Sequence, residues 1–267
     1  MSITSTSIAV IGGSGLYSLF PPADSETQTV ATPYGPVDVT TGVLAGRSVA
    51  FLPRHGVGHT AAPHLINYRA NVWALASLGV RAIVSTAAVG GVNPAYPPGS
   101  LVLADQYIDR TWGRADTFYD RGSVQHLSSA DPFCPALHEA AEDALAGVAI
   151  MAGTVVVIQG PRFSTRAESH WFRAAGADIV NMTLYPEVPL ASELNIGTVN
   201  IAYVTDADAA PADEELSAEL VFARFAEAQP RIIAALEAVV AAIPDSYAPR
   251  ELISPAEVAA VLARSAS

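Results

Sequence analysis

Apolar residues recur along this chain in short continuous runs, and such runs bounded by turn residues mark strands covered on both faces. Ser7-Ile8-Ala9-Val10-Ile11 comes first and leads into Gly12-Gly13-Ser14-Gly15-Leu16. Ser48–Leu52, Ala82–Ala88, Leu101–Ala104, Thr154–Ile158, Asp178–Val180 and Thr198–Val204 follow. Helical spacing fills the intervals. Asn67 caps a predicted helix through Ser77, with Tyr68, Val72, Trp73 and Leu75 facing a core and Gly79 as its stop. Further helices are predicted over 137–147, over a stretch capped by Ser164 or Thr165 and ended by Gly176, and from Pro186-Glu187 to Leu194. Ser217 opens another to Ile243, with Pro230 expected to kink or split it.

Residues 21–47 are rich in Pro, Gly, Thr and Asp and read as loops and edge strands. Asp109 through Ser123 is polar and aromatic without periodicity, the pattern of a long functional loop. Beyond Pro244, Ser254, Pro255 and Glu257 supply the N-cap, first-turn proline and capping-box acid of a short helix. Strands alternating with helices predict an α/β chain with a three-layer α/β/α fold, taken as a single domain over residues 1–267.

Charge narrows the partners. Against 14 Lys+Arg stand 26 Asp+Glu, a formal net charge of -12, which disfavours nucleic acid and anionic membrane. A small anion remains compatible, because a pocket can focus positive charge against the global sign. The one cysteine, Cys134, excludes an internal disulfide and a multi-cysteine metal site. No signal peptide or membrane-spanning run is legible, so the expected location is cytoplasmic.

The chemistry gathers at predicted strand ends, where open α/β sheets bind ligands. The glycine-rich turn after the first strand lets backbone amides approach an anion, with Ser14 as an extra donor, though by itself it reads more simply as a plain tight turn. Arg54-His55 ends a core strand. Arginine's fork suits phosphate and a neighbouring histidine can donate as well; a salt bridge to a carboxylate is the structural alternative. Thr86 ends a strand with a hydroxyl, which is also ordinary β-propensity. Asn181-Met182-Thr183 and Thr205-Asp206-Ala207-Asp208 close two more strands. In extended backbone Asp206 and Asp208 face one side, and like charges held close keep one carboxyl protonated near neutral pH. A metal completed by Asp213 to Glu215, or a solvated acidic turn, are the rival readings of this pair. His126 alone reads as a surface or capping histidine.

Together, Ile11-Gly12-Gly13-Ser14-Gly15-Leu16, Arg54-His55-Gly56, Asn67–Asn71, Gly160–Ser164, Asn181–Thr183 with Pro186-Glu187, and Thr205–Asp208 resemble the trimeric purine nucleoside phosphorylase family, over about residues 7 to 240 in one collinear order. The match is strongest with members that cleave 5′-methylthioadenosine; the tail 244–267 lies outside it. The resemblance implies a central mixed β-sheet and no cofactor, with inorganic phosphate as co-substrate. It implies a phosphate site at Ser14, Arg54, His55, Thr86, Ala87 and Thr183, base and ribose contacts at Phe163, Ser164, Asn181, Met182, Asp206 and Asp208, and catalytic work for the two aspartates. It also implies a homotrimer in which His126 reaches a neighbour's sugar site, with Ala218 and Phe222 around the 5′ substituent. Relatives acting on 6-oxopurines carry Glu in place of Ser164 and Asn in place of Asp206; a carboxylate suits the 6-amino donor of adenine instead. Adenosine, a 5′-halo-5′-deoxyadenosine or a 6-oxopurine nucleoside are the alternative substrates. A water-using nucleosidase and a non-catalytic nucleoside-binding protein are the alternative functions.

Overall fold

A computed structural model describes residues 6–56, 58–208 and 217–265. Its ten strands form one sheet: β1 (Ile8–Gly12), β2 (Glu26–Val30), β3 (Val37–Leu44), β4 (Arg47–Pro53), β5 (Ala82–Gly91), β6 (Leu101–Leu103), β7 (Gln106–Arg110), β8 (Thr154–Ile158), β9 (Ile179–Asn181) and β10 (Gly197–Asp206). The order is β2-β3-β4-β1-β5-β9-β8-β7, with β10 against β5 and β6 against β10. β5 is the hub. It runs parallel to β1 and to β10, then meets β9 antiparallel at Gly90 and Gly91. The sheet is therefore mixed, as the family resemblance implies.

The helices are α1 (Tyr68–Ser77), α2 (Pro135–Ala144), α3 (Arg166–Ala174), α4 (Leu184–Glu193), α5 (Ala218–Ala242) and α6 (Pro255–Leu262). Alternate residues of each central strand feed opposite cores, which is why these strands read as continuous apolar runs. Ile8, Val10 and Phe51 pack with Leu137 of α2 and Phe225, Ile232 and Leu236 of α5. Ala9, Ile11 and Leu52 pack on the other face with Val72 and Leu75 of α1, Leu190 of α4 and Val261 of α6. Helix, sheet and helix make the three layers.

Several local expectations are corrected. The predicted loop from Asp109 starts two residues too early, because β7 continues to Arg110 along β8; as a half-exposed edge strand it lacks an apolar run. α5 runs unbroken through Pro230. Ala226 and Pro230 both face solvent, so water can satisfy the carbonyl that loses its donor, and buried Phe225, Ala228 and Ile232 hold the helix on the sheet. Of the two candidate caps of α3, Thr165 is the one used: it makes a capping box with Glu168, which takes two hydrogen bonds from Arg162. The described part of the tail packs on the helical layer made by α1 and α4. Asn195 holds the backbone of Leu252 and Ile253, and Trp73 Nε1 donates to the Val261 carbonyl.

Candidate active site

The ends of β1, β4, β8, β9 and β10 and the middle of β5 open into one cavity of about 330 Å³. Ser14, Arg54, His55, Ala87, Phe163, Ser164, Asn181, Met182, Thr183, Asp206, Asp208, Ala218 and Phe222 all line it. Segments as distant in sequence as Ser14 and Phe222 thus share one cavity. Two of the predicted residues are not brought there. Thr86 is fully buried, and its hydroxyl accepts from the Gly13 amide at 3.0 Å, so its side chain braces the glycine turn. His126 is exposed in the segment after β7 and does not reach this cavity.

At one end lies the cation. Arg54 is buried at 3 % exposure, and both anion readings of it meet a carboxylate first: Nε and Nη2 donate to the two oxygens of Glu187 at 2.6 and 2.8 Å. Nη1 donates to the Thr86 carbonyl at 2.8 Å. A guanidinium has five N–H donors, so Nη1 and Nη2 each retain one for a ligand on the cavity wall they line. Burial opposes the charge on Arg54, yet Glu187 outweighs it and raises its pKa further. Glu187 opens the regular part of α4, just after the non-helical Tyr185 and Pro186, which turns its carboxylate back towards β4. The glycine turn comes close because a Cβ at Gly13 would meet the Thr86 carbonyl at 2.6 Å.

His55 beside it is neutral. Burial, opposed by its hydrogen bond to the Ala61 carbonyl and assisted by Arg54, lowers its pKa to about 4. A carbonyl only accepts, so Nδ1 carries the proton across that 2.9 Å contact and Nε2 is an acceptor. The expectation that His55 donates to an anion is thereby corrected: it can receive a hydrogen bond from a protonated phosphate oxygen or a sugar hydroxyl. The linkage has a definite sign. A histidine whose folded pKa lies below its unfolded value of about 6.5 binds more protons when unfolded, so its contribution is complete above that value and is lost as pH falls towards 4. Urea titrations should show on the order of 3 kcal/mol of acid destabilisation across this window from His55, and the corresponding slope should be missing in His55→Gln.

At the other end are the carboxylates. Asp206 is the last residue of β10 and Asp208 lies in the turn beyond it, so strand alternation does not align them. A bulge between Val204 and Asp206 and the bare Cα of Gly90 do. A Cβ on Gly90 would stand 3.0 Å from both Asp206 Oδ1 and the Asp208 Cβ. Asp206 Oδ2 sits 2.7 Å from the Thr205 hydroxyl. Among the described residues no group of three His, Cys, Asp or Glu is placed to hold a metal, and Asp213 to Glu215 lie outside them.

Between the two ends the wall is apolar or neutral. Asn181 accepts from the Thr183 and Leu184 amides through Oδ1, leaving its buried Nδ2 without a protein partner. The buried hydroxyl of Ser164 likewise has none. Buried donors left open in this way are ready for a polar ligand. His59 stacks on His55 at 4.1 Å between centroids and meets Phe222 edge-on at 5.1 Å. With Pro63, Ala218 and Val221 they make an apolar corner.

Sequence reasoning gave no role to His59, Glu187, Thr205 or Arg114. The first three stood inside or beside quoted motifs, but nothing local indicates what each one touches. Arg114, in the supposed loop, donates to the carbonyls of Gln159, Met182 and Tyr185 and lies over the Tyr68 ring at 5.6 Å. It ties the segments that follow β8 and β9 together. Arg114→Ala should lower Tm by several degrees and weaken ligand binding in the cavity ~10-fold, since three half-buried carbonyls lose a charged donor worth on the order of 1 kcal/mol each. Thermal melts and steady-state kinetics check it.

An anion-facing guanidinium and an acid pair across one nucleoside-sized cavity, at the strand ends of an α/β/α sheet, define a group-transfer site for a small molecule. Residues 7–241 match the phosphorylase superfamily, and the chain belongs to it. It is 50% identical over 239 residues to the S-methyl-5′-thioadenosine phosphorylase of Mycolicibacterium smegmatis, covering 87% of this chain and 91% of that one. It is 44% identical over 220 residues, 79% and 83% of the two chains, to the 6-oxopurine nucleoside phosphorylase of Pyrococcus furiosus. Among solved structures, the methylthioadenosine phosphorylase from Schistosoma mansoni in complex with adenine superposes with a TM-score of 0.82 at 35% identity, over 88% of this chain and 91% of that one.

Proposed function

We propose that this chain catalyses phosphorolysis of an adenine nucleoside with an apolar 5′ substituent: 5′-methylthioadenosine and phosphate give adenine and 5-methylthioribose 1-phosphate. The single observation that carries this reading is that Arg54 and Asp206 line opposite parts of one cavity. Breaking an N-glycosidic bond leaves positive charge on the sugar and negative charge on the purine, and the two ends answer these separately. Phosphate held by Arg54, the glycine turn and Thr183 attacks the anomeric carbon and shields its cation. Asp206 gives N7 a proton as the bond breaks, so adenine leaves neutral, and Asp208 supports the same edge. Ser164 and Asp206, where 6-oxopurine enzymes of the resembled family carry Glu and Asn, favour the 6-amino base. The apolar corner of His59, Val221 and Phe222 accepts a methylthio group better than a hydroxyl.

The proposal extends to the assembly: a cytoplasmic homotrimer acting in purine salvage, in which His126 closes a neighbour's 5′ site. Support for it is the family resemblance together with the exposed position of His126. No helix among the described residues is long and apolar enough to cross a membrane. Adenine release measured with and without phosphate, using 5′-methylthioadenosine, adenosine and inosine, tests the function. Phosphate-independent release would establish a hydrolase instead, and a clear preference for inosine would overturn the base assignment. Sedimentation tests the trimer.

A further inference from the structure

A second cleft, of about 260 Å³, lies beside the exposed end of β7 and shares only Ile158 with the lining of the active cavity. Two tryptophans line it with much of their surface in water: Trp112 is 74 % exposed and Trp171 51 %. Large aromatic faces gathered at one cleft and left this open mark a place where something binds. The guanidinium of Arg110 lies over the Trp171 ring, 4.6 Å from its centroid. Among the described residues Arg110 takes part in no ion pair and its side chain in no hydrogen bond, so its five N–H groups are open. The other cation on this wall is already engaged, since Arg162 donates to both oxygens of Glu168 at 2.7 and 2.6 Å. The cleft wall therefore carries one uncompensated positive charge, in a chain whose formal net charge is -12. Gln159 Oε1 accepts from the Trp112 amide at 3.2 Å, which fixes the backbone that presents this indole.

We propose that this cleft is a second ligand site, separate from the nucleoside cavity, for a flat aromatic ring that carries a phosphate or a carboxylate. The ring stacks on the exposed indole of Trp112, as bases stack on aromatic side chains in general. The Arg110 fork takes the two oxygens of the anion, a pairing that suits phosphate and carboxylate alike. Both halves are needed. Stacking alone does not select charge, and a single exposed cation holds a bare anion weakly. A mononucleotide and an aromatic carboxylic acid each offer both halves. A second copy of the chain is a poorer occupant, because an apolar contact over the two tryptophans would desolvate a guanidinium that has no carboxylate beside it. The proposal goes beyond the phosphorolysis reading and does not depend on it.

Tryptophan emission reads this site directly. Of the three tryptophans only Trp73 lies elsewhere, and it is buried. The full-length protein is titrated with adenosine 5′-monophosphate, benzoate, adenosine and inorganic phosphate. Adenosine 5′-monophosphate or benzoate should quench saturably, and the tighter of the two identifies the anion. Adenosine, a ring without charge, and phosphate, a charge without a ring, should each bind ~10-fold more weakly. Saturating 5′-methylthioadenosine should leave the quenching in place; its loss would assign the signal to the active cavity and overturn the proposal. Arg110→Gln and Trp112→Leu should each weaken binding ~10-fold with Tm unchanged, since both side chains are exposed. No saturable quenching by either charged ring, equal affinity for adenosine, or full binding in both variants also overturns it. Acrylamide quenching of the ligand-free protein should find Trp112 and Trp171 accessible. Shielding of both there would mean that another copy of the chain covers the cleft, which ends the proposal.

Discussion

Asp206→Asn should lower kcat for 5′-methylthioadenosine by ~10²–10⁴-fold, the usual worth of a positioned proton donor, while KM stays within a few-fold. The amide has the carboxyl's size and can still hydrogen-bond the purine edge, so the ground-state complex survives. What it cannot do is release a proton to N7, and adenine must then leave as an anion. An effect confined to kcat marks an interaction made in the transition state. The same change also puts N–H donors on the purine edge, which a 6-oxo group can accept from. Paired with Ser164→Glu, it should therefore improve the ratio of inosine to adenine nucleoside turnover even as the total rate falls. Steady-state kinetics on both substrates decide it. A KM rise with unchanged kcat would reduce Asp206 to a binding contact.

Glu187→Ala should be the most damaging single change to the fold. It strands the Arg54 guanidinium, 3 % exposed, without the carboxylate that takes two of its N–H groups. Removing one partner of a buried pair costs ~3–5 kcal/mol because the other charge stays desolvated, which for a chain of this size lowers Tm by roughly 10 °C. The phosphate KM should rise by more than tenfold, since the guanidinium is no longer held against the Thr86 carbonyl and the glycine turn. The double variant Arg54→Met, Glu187→Met separates the two effects. With no orphaned charge it should recover most of the stability by calorimetry and remain without phosphorolysis. If the single variant melts like the unaltered protein, the pair is not the buried clamp that the geometry describes.

Glu187 also shows where local reading stops. Arg54 at the end of a buried strand is conspicuous because a cation there demands an anion, and that demand is visible without coordinates. Which anion answers is not: the chain offers 26 acidic residues, and the one chosen lies 133 positions away on another element. Thr86 shows a related limit: a hydroxyl at a strand end looks the same whether or not a backbone amide also uses it, and here the Gly13 amide donates to it. Asp206 and Asp208 were found for a reason that proved incomplete, since a bulge and Gly90, not strand alternation, bring them together.

The amino-acid order alone determined the layers, because continuous apolar runs must be covered on both faces and capped helices must do the covering. It also determined the kind of chemistry, since hydroxyls, a guanidinium and paired carboxylates are placed where strands end. Only the tertiary structure decided which of these side chains face the cavity and which are spent on the frame. It likewise decided that His55 is neutral and that Arg114 pins three backbone carbonyls. Protonation and orientation depend on burial and on partners distant in sequence, and those exist only once the sheet has been assembled.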